Sequence, residues 1–231
     1  TSVAPVAAAG NQAGPLVKVA ILTQQYGYMV TSNGPYEIVD VSSGKVLGEY
    51  AKEEKIRIGL RDGQMVINNS VANTSGLKIQ PKSAGRIERT NRIIELNNRR
   101  YPGVIEIGRT QGKNGLTAIN ILPVDDYVYS LMMRDISQEW PVEALKAQAV
   151  AIRTFALHEL GRHKDEGFDF CGTKHCQTYI GLSAEDERAL KAVNDTKGMV
   201  LTWQGQLIVS PFHLSSGGYT ENGDVLWPQG K

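Results

Sequence analysis

From Leu16 to Asn120 the apolar positions recur at every second residue, in short runs. Val17, Val19 and Ile21 alternate, as do Tyr36 and Ile38, with Asp40 continuing the register. Ile56 with Ile58, Val66, Leu77 with Ile79, Ile105 with Ile107, and Thr117 with Ile119 extend the series. Turn-forming clusters separate the runs: Ser32-Asn33-Gly34-Pro35, Ser42-Ser43-Gly44, Arg61-Asp62-Gly63, Asn73-Thr74-Ser75-Gly76 and Gly112-Lys113-Asn114-Gly115. A period of two broken by such clusters predicts many short strands, hence a small barrel or sandwich. No internal repeat accompanies them.

After Leu122 the period changes. Val124, Tyr127, Val128 and Leu131, then Val142, Leu145, Ala149, Ile152 and Ala156, recur at steps of three and four, which predicts two helices. Pro141 suits the first turn of the second, where a missing N–H costs little. The joint between them, Arg134-Asp135-Ile136-Ser137-Gln138-Glu139-Trp140, holds two carboxylates, an indole and a guanidinium. A loop over 161–181 carries both cysteines. A third helix is expected from Ser183, with Ser183-x-x-Asp186 as cap and Lys197-Gly198 as stop. Met199–Trp203 and Leu207–Val209 read as a hairpin around Gln204-Gly205. The fold class is therefore α+β: a β-rich N-terminal half, a helical core, then a hairpin and a Gly/Ser loop lining a groove.

Composition narrows the partners. With 41% hydrophobic and 21% charged residues among 231, the chain is an ordinary globular one. A net charge of +1 gives no case for nucleic acid, whose binding usually needs a clustered basic face. No apolar run approaches the ~20 residues of a membrane span. Residues 1–15, small and Ala/Pro-rich, lack the apolar stretch of a signal peptide and read as a flexible linker left after cleavage or removal of an anchor. Cys171 and Cys176, so close together, suggest a local disulfide or a metal site.

Two segments carry a family resemblance: Leu122-Pro123-x-x-Asp126-Tyr127, and Glu143-Ala144-Leu145-Lys146-Ala147-Gln148-Ala149-Val150-Ala151-x-Arg153-Thr154. They resemble the core of the SpoIID/LytB domain, the peptidoglycan-acting domain of sporulation protein SpoIID and amidase enhancer LytB. Asn98-x-x-Tyr101-x-Gly103, Thr117-x-x-Asn120-x-Leu122-Pro123 and the closing Phe212-His213-Leu214-Ser215-Ser216-Gly217-Gly218-Tyr219-Thr220-Glu221 extend it over nearly everything after Leu16, with Leu214 and Ser215 as departures. It implies a domain over 16–231, β-rich over 16–120 and helical and catalytic over 121–231. Because the family continues past a tryptophan such as Trp227, it also implies a further segment beyond Lys231. The implied setting is extracytoplasmic, in the bacterial cell envelope, and the implied partner is the glycan strand of peptidoglycan.

The implied reaction is lytic transglycosylation of strands stripped of stem peptides. The substrate's own 6-hydroxyl attacks and leaves a 1,6-anhydro end. One carboxyl can serve as acid and then base, where a hydrolase needs two, and no cofactor is required. The family's catalytic glutamate falls on Asp135, which is one methylene shorter. At the negative end of the first helix dipole its pKa is pushed upward, while Arg134 pushes the other way. Glu139 is the runner-up acid. Gln148, Arg153, His213, Ser216 and Thr220 are expected to contact sugar groups, and Trp140 to stack on a sugar ring or pack into the core. No Gly-x-Ser-x-Gly elbow supports a serine hydrolase. Cys171, His175 and Cys176 resemble the family's zinc-associated segment. With water, or with His163 or His158, they can complete a tetrahedron for a structural zinc, the alternative being a disulfide or free thiols. The rival function is a cell-wall-binding or amidase-enhancing module with an amidase as partner, favoured by the Asp135 departure.

Overall fold

The structure is a computed structural model that describes residues 2–5, 14–82, 93–135, 139–212, 216–222 and 225. In chain order the strands are β1 (Ser2–Pro5), β2 (Leu16–Gln25), β3 (Gly27–Ser32), β4 (Tyr36–Asp40), β5 (Val46–Tyr50), β6 (Ile56–Arg61), β7 (Gln64–Ile67), β8 (Ser70–Val71), β9 (Gly76–Pro81), β10 (Ile93–Leu96), β11 (Arg99–Pro102), β12 (Val104–Arg109) and β13 (Leu116–Pro123). Helices α1 (Val124–Asp135) and α2 (Val142–His158) follow, then β14 (Phe170–Cys171), α3 (Glu187–Asp195), β15 (Met199–Trp203) and β16 (Gln206–Leu207).

The β half forms two sheets. One has the order β11-β10-β3-β6-β7-β8, the other β14-β2-β13-β12-β9-β4-β5. Side chains from both, among them Tyr28, Ile58 and Leu96 from the first and Val19, Ile79 and Ile105 from the second, share one buried cluster with Tyr127 and Leu131 of α1, Leu145 and Ile152 of α2 and Ala189 of α3. The α+β architecture thus rests on a core common to strands and helices.

Strand alternation holds where the ladder is regular. Val17 and Val19 are buried and Lys18 exposed, but Ala20 is buried next to Val19 and Ile21 only half so. The reason is an irregular register against β13, which shifts on either side of Ala118 and breaks the period of two. Gly103 (φ +85) follows the β11 edge, and a Cβ there would stand 2.4 Å from the Ile121 carbonyl oxygen, so only glycine lets β11 turn against β13. Beside it the buried Asn120 amide donates to the Pro102 and Val104 carbonyls, while its Oδ1 accepts from the Tyr179 hydroxyl at 2.7 Å.

Three expectations change. α3 begins at Glu187 rather than Ser183, because the capping oxygen is that of Asp186, which accepts from Arg188 N at 2.7 Å and Ala189 N at 3.1 Å. Ser183 instead donates its hydroxyl to the Met133 carbonyl near the end of α1. The hairpin turn is as expected, with Gln204 and Gly205 both at positive φ, but its second strand stops at Leu207. Of the segment expected to be linker, Ser2–Pro5 pairs antiparallel with β15, which offers an open edge on that side. Asp186→Ala should lower stability by about 1 kcal/mol, as loss of an N-cap does. Denaturant titration checks this, and an unchanged midpoint would deny the cap its role.

Candidate functional site

α1 ends at Asp135, so the backbone places that residue in the last turn, at the negative end of the helix dipole. Its side chain lies outside the described residues, as do Ile136, Ser137, Gln138 and His213. The neighbouring Arg134 donates from Nη1 to the Thr178 carbonyl at 2.8 Å, tying the end of α1 to the loop that follows the cysteines. Beyond the joint, Glu139 is exposed, and Trp140 packs partly buried against the core while its carbonyl accepts from the Arg188 guanidinium. The Trp140 indole is thus committed at least in part to packing.

Of the expected sugar-contacting residues, Arg153 is placed differently. Its side chain is 1% exposed, and it donates to Asp125 Oδ1 at 2.8 Å, the Met199 carbonyl at 3.2 Å and the Val193 carbonyl at 3.3 Å. All three contacts are internal. Arg153 sits on the inward face of α2 with Ala149 and Ile152, and ties together α1, α2, α3 and β15 instead of facing a ligand. Gln148 is half-buried, with an Nε2 that has no hydrogen-bond partner among the described residues. Ser216 and Thr220 are both exposed, in a segment where Gly217 and Gly218 adopt positive φ. That segment is reached through Phe212, whose ring meets Phe155 of α2 edge-on at 6.2 Å.

The cysteine loop gathers four donors. One ligand atom each from His163, Cys171, His175 and Cys176 lies within 4.8 Å of all the others. His163 Nε2 is 3.2 Å from Cys176 Sγ, and His175 Nδ1 is 3.5 Å from Cys171 Sγ and 3.4 Å from Cys176 Sγ. Both thiols are free rather than bridged. A tetrahedral zinc with bonds of about 2.0–2.3 Å sets its ligands roughly 3.3–3.8 Å apart, so the cluster has the right size and donor types for that ion. His163, not His158, is the fourth donor; His158 pairs with Glu159 at 2.8 Å. Two neighbours in sequence, His175 and Cys176, both reach the cluster because His175 turns its Nδ1 inward.

The local fold explains the gathering. Asp169 accepts from Lys18 N at 2.8 Å and Gly161 N at 2.9 Å, clamping the turn that bears His163 onto β2. Cys171 pairs with Ala20 of β2 in parallel register. At Gly172 a Cβ would stand 3.1 Å from both the Ala20 and Tyr179 carbonyl oxygens, so a larger residue there would push the loop away from β2 by a few tenths of an ångström. Glu166 Oε1 lies 2.7 Å from His163 Nδ1, which fixes the ring with Nε2 facing the sulfur. Neither Glu166 nor the Arg134–Thr178 contact had a signal in the sequence, since both depend on how the loop folds back.

The two thiols differ in acidity. Burial pushes Cys171 up, but hydrogen bonds from the Thr173 hydroxyl and backbone, His175 and Cys176 outweigh it and bring it down to about 6. Cys176 is raised to about 11 by burial, then by the hydrogen bond and charge of Cys171. The buried Tyr127 hydroxyl is also pushed up, first by burial and then by the charges of Cys176 and Cys171. Its ring stacks on Phe170 at 5.7 Å, next to the cluster.

Residues 112–203, from the β12–β13 turn through α1, α2, the cysteine loop and α3 to β15, match the family described as Stage II sporulation protein (SpoIID). Over 92% of its length the chain is 26% identical to an uncharacterized protein of Brachyspira hyodysenteriae. Over 73% it is 29% identical to the amidase enhancer of Bacillus subtilis, and over 54% it is 29% identical to the stage II sporulation protein D of that species. The likeness to the SpoIID family thus runs through the stretch that carries Asp135 and the four-donor cluster. The chain spans 55%, 22% and 40% of these three relatives' own lengths.

Proposed function

We propose that the protein acts on peptidoglycan in the cell envelope, as a lytic transglycosylase that cleaves glycan strands to 1,6-anhydro ends. The observation that carries the reading is the position of Asp135. The family's acid position falls on the last residue of α1, where the helix dipole favours the protonated carboxyl that a leaving oxygen needs. Asp135 donates that proton to the glycosidic oxygen. As carboxylate it then takes the proton of the substrate's 6-hydroxyl as that oxygen closes on C1. Gln148, Ser216, Thr220 and His213 are the groups we assign to sugar hydroxyls, and Glu139 is the reserve carboxyl.

The four-donor cluster takes one zinc ion, through His163, Cys171, His175 and Cys176. A closed set of four protein ligands leaves no position for water or substrate, so the ion's part is to hold the loop. That loop carries Thr178, whose carbonyl binds Arg134, the residue next to Asp135. The ion thereby steadies the end of α1 without touching the reaction.

Mass spectrometry of the products from strands free of stem peptides tests the reading. The parent chain should yield anhydro ends, and Asp135→Asn should yield them about 100-fold more slowly or worse, the low end of what general acid–base catalysis supplies. Asp135→Glu, which restores the family residue, should be at least as fast as the parent. Equal rates for all three would remove Asp135 from the chemistry. Strand binding with no cleavage by any of them would support the second reading, a binding or amidase-enhancing module. That reading is favoured by the aspartate at the glutamate position and by the name of the Bacillus subtilis relative.

A further inference from the structure

We propose a second carbohydrate site, remote from the joint, in the cleft between the β6–β7 turn and the β12–β13 hairpin, and that it takes glycan bearing carboxylates. The proposal rests on the reading of the protein as one that handles glycan strands. The cleft measures about 870 Å³ and is lined by Tyr26, Leu60, Asp62, Arg109, Lys113 and Asn114 among others.

Tyr26, Arg109, Lys113 and Asn114 fit that ligand class. Tyr26 sits at the bend between β2 and β3 with 70% of its surface exposed, a large amphipathic ring left open on a concave wall. The apolar C–H face of a pyranose can pack on such a ring while the phenol remains in water. Arg109 and Lys113 are both exposed at the cleft, against the single carboxylate of Asp62, so its charge is net positive. A guanidinium offers a fork matched to a carboxylate. The Asn114 amide offers both a donor and an acceptor, as sugar hydroxyls and acetamido groups require.

The cleft is preformed. A Cβ on Gly115 (φ +112) would stand 2.9 Å from the Gln24 backbone, so the β12–β13 hairpin presses directly on the end of β2 beside Tyr26. Thr110 N donates to the Gly115 carbonyl at 3.0 Å, and the Thr110 and Thr117 hydroxyls meet at 2.9 Å, closing the hairpin. On the other wall Asp62 and Gly63 both take positive φ in a tight turn, and Tyr26 O accepts from Leu60 N at 3.1 Å. Arg109 Nη2 stands over that turn, 3.6 Å from where a Gly63 Cβ would be. Walls held this way lose little order when a ligand binds.

The position separates the two sites. β13 runs from Leu116, at the cleft, to Pro123, at the start of α1, and eight residues of strand span roughly 25 Å. A polymer of several sugars, not a disaccharide, is what engages both ends. The cleft then anchors a strand while the joint works on another part of it.

Calorimetry on an Asp135→Asn background, which keeps the strand intact, tests this with two probes. One is peptidoglycan strand stripped of stem peptides, which keeps its lactyl carboxylates; the other is an uncharged chitooligosaccharide of equal length. Tyr26→Ala, and Arg109→Ala with Lys113→Ala, should each weaken strand binding about tenfold. The double change should also flatten its salt dependence, with unchanged thermal midpoints as the control for folding. The chitooligosaccharide should bind about tenfold more weakly than the strand. Strand binding unchanged in both variants would overturn the cleft and leave the joint as the binding site. Equal affinity for the two probes would overturn the carboxylate class. No binding by the Asp135→Asn parent would overturn the cleft together with the glycan reading itself.

Discussion

Cys176→Ser protein should purify without zinc, where the parent chain should carry about one ion, and it should melt well below the parent. The expectation follows from the closed set of His163, Cys171, His175 and Cys176. An ion bound only by the folded state stabilises it by about 4 kcal/mol when present at 1,000 times its Kd. For a chain of this size that is a midpoint shift of roughly 8–16 °C. Atomic absorption and a thermal melt with and without chelator read both quantities. Glu166→Gln should keep the ion but weaken its binding about 10- to 100-fold, because Glu166 orients the His163 ring.

Acidity adds a second readout for the same ion. With Cys171 at about 6 and Cys176 at about 11, the metal-free thiols carry one negative charge near pH 7.5. Coordination requires both as thiolates, so binding releases about one proton from the pair, taken from Cys176. The binding enthalpy should therefore vary with the ionisation enthalpy of the buffer. Affinity should already fall about tenfold per pH unit near pH 7.5, because Cys176 must give up its proton, and more steeply below 6, where Cys171 regains its own. A parent chain that holds no zinc, with a midpoint indifferent to chelator, would sink the metal centre.

Arg153→Ala should cost about 3–5 kcal/mol of stability, the range for breaking a buried ion pair by removing one partner. The loss comes from what is left behind: Asp125, with 18% of its side chain exposed, loses its counter-charge, and the Met199 and Val193 carbonyls lose their donor. Arg153→Lys keeps the charge but not the planar fork, and should fall between alanine and the parent. Urea titration measures the series. A substrate-binding arginine behaves oppositely, losing strand affinity with little change in midpoint. A midpoint for Arg153→Ala within about 1 kcal/mol of the parent would therefore remove it from the frame that joins the helices.

Much of the architecture could be read from spacing. The switch from a period of two to one of three and four at Leu122 marks where strands give way to helices, and β13 passes directly into α1 at Pro123 and Val124. Burial pattern is written locally, because neighbours along the chain share the same backbone geometry. The two-residue strands β8 and β14 had too few residues to show a period. Their existence depends on partners far along the chain, as Cys171 depends on Ala20.

The candidate chemistry divides the same way. The joint, its carboxylates and the pair of cysteines are local features, and the chain order alone put Asp135 beside the end of a helix and His175 beside Cys176. Whether Arg153 reaches a ligand or the core was a matter of which face of α2 turns inward, and that was settled by Asp125, Val193 and Met199 arriving from three other elements. The choice of His163 over His158 as the fourth donor came from Asp169 pinning one turn to β2. Identity and spacing along a chain set what a residue can do. Contacts between segments far apart in sequence decide what it does, because only folding brings such groups within bonding distance.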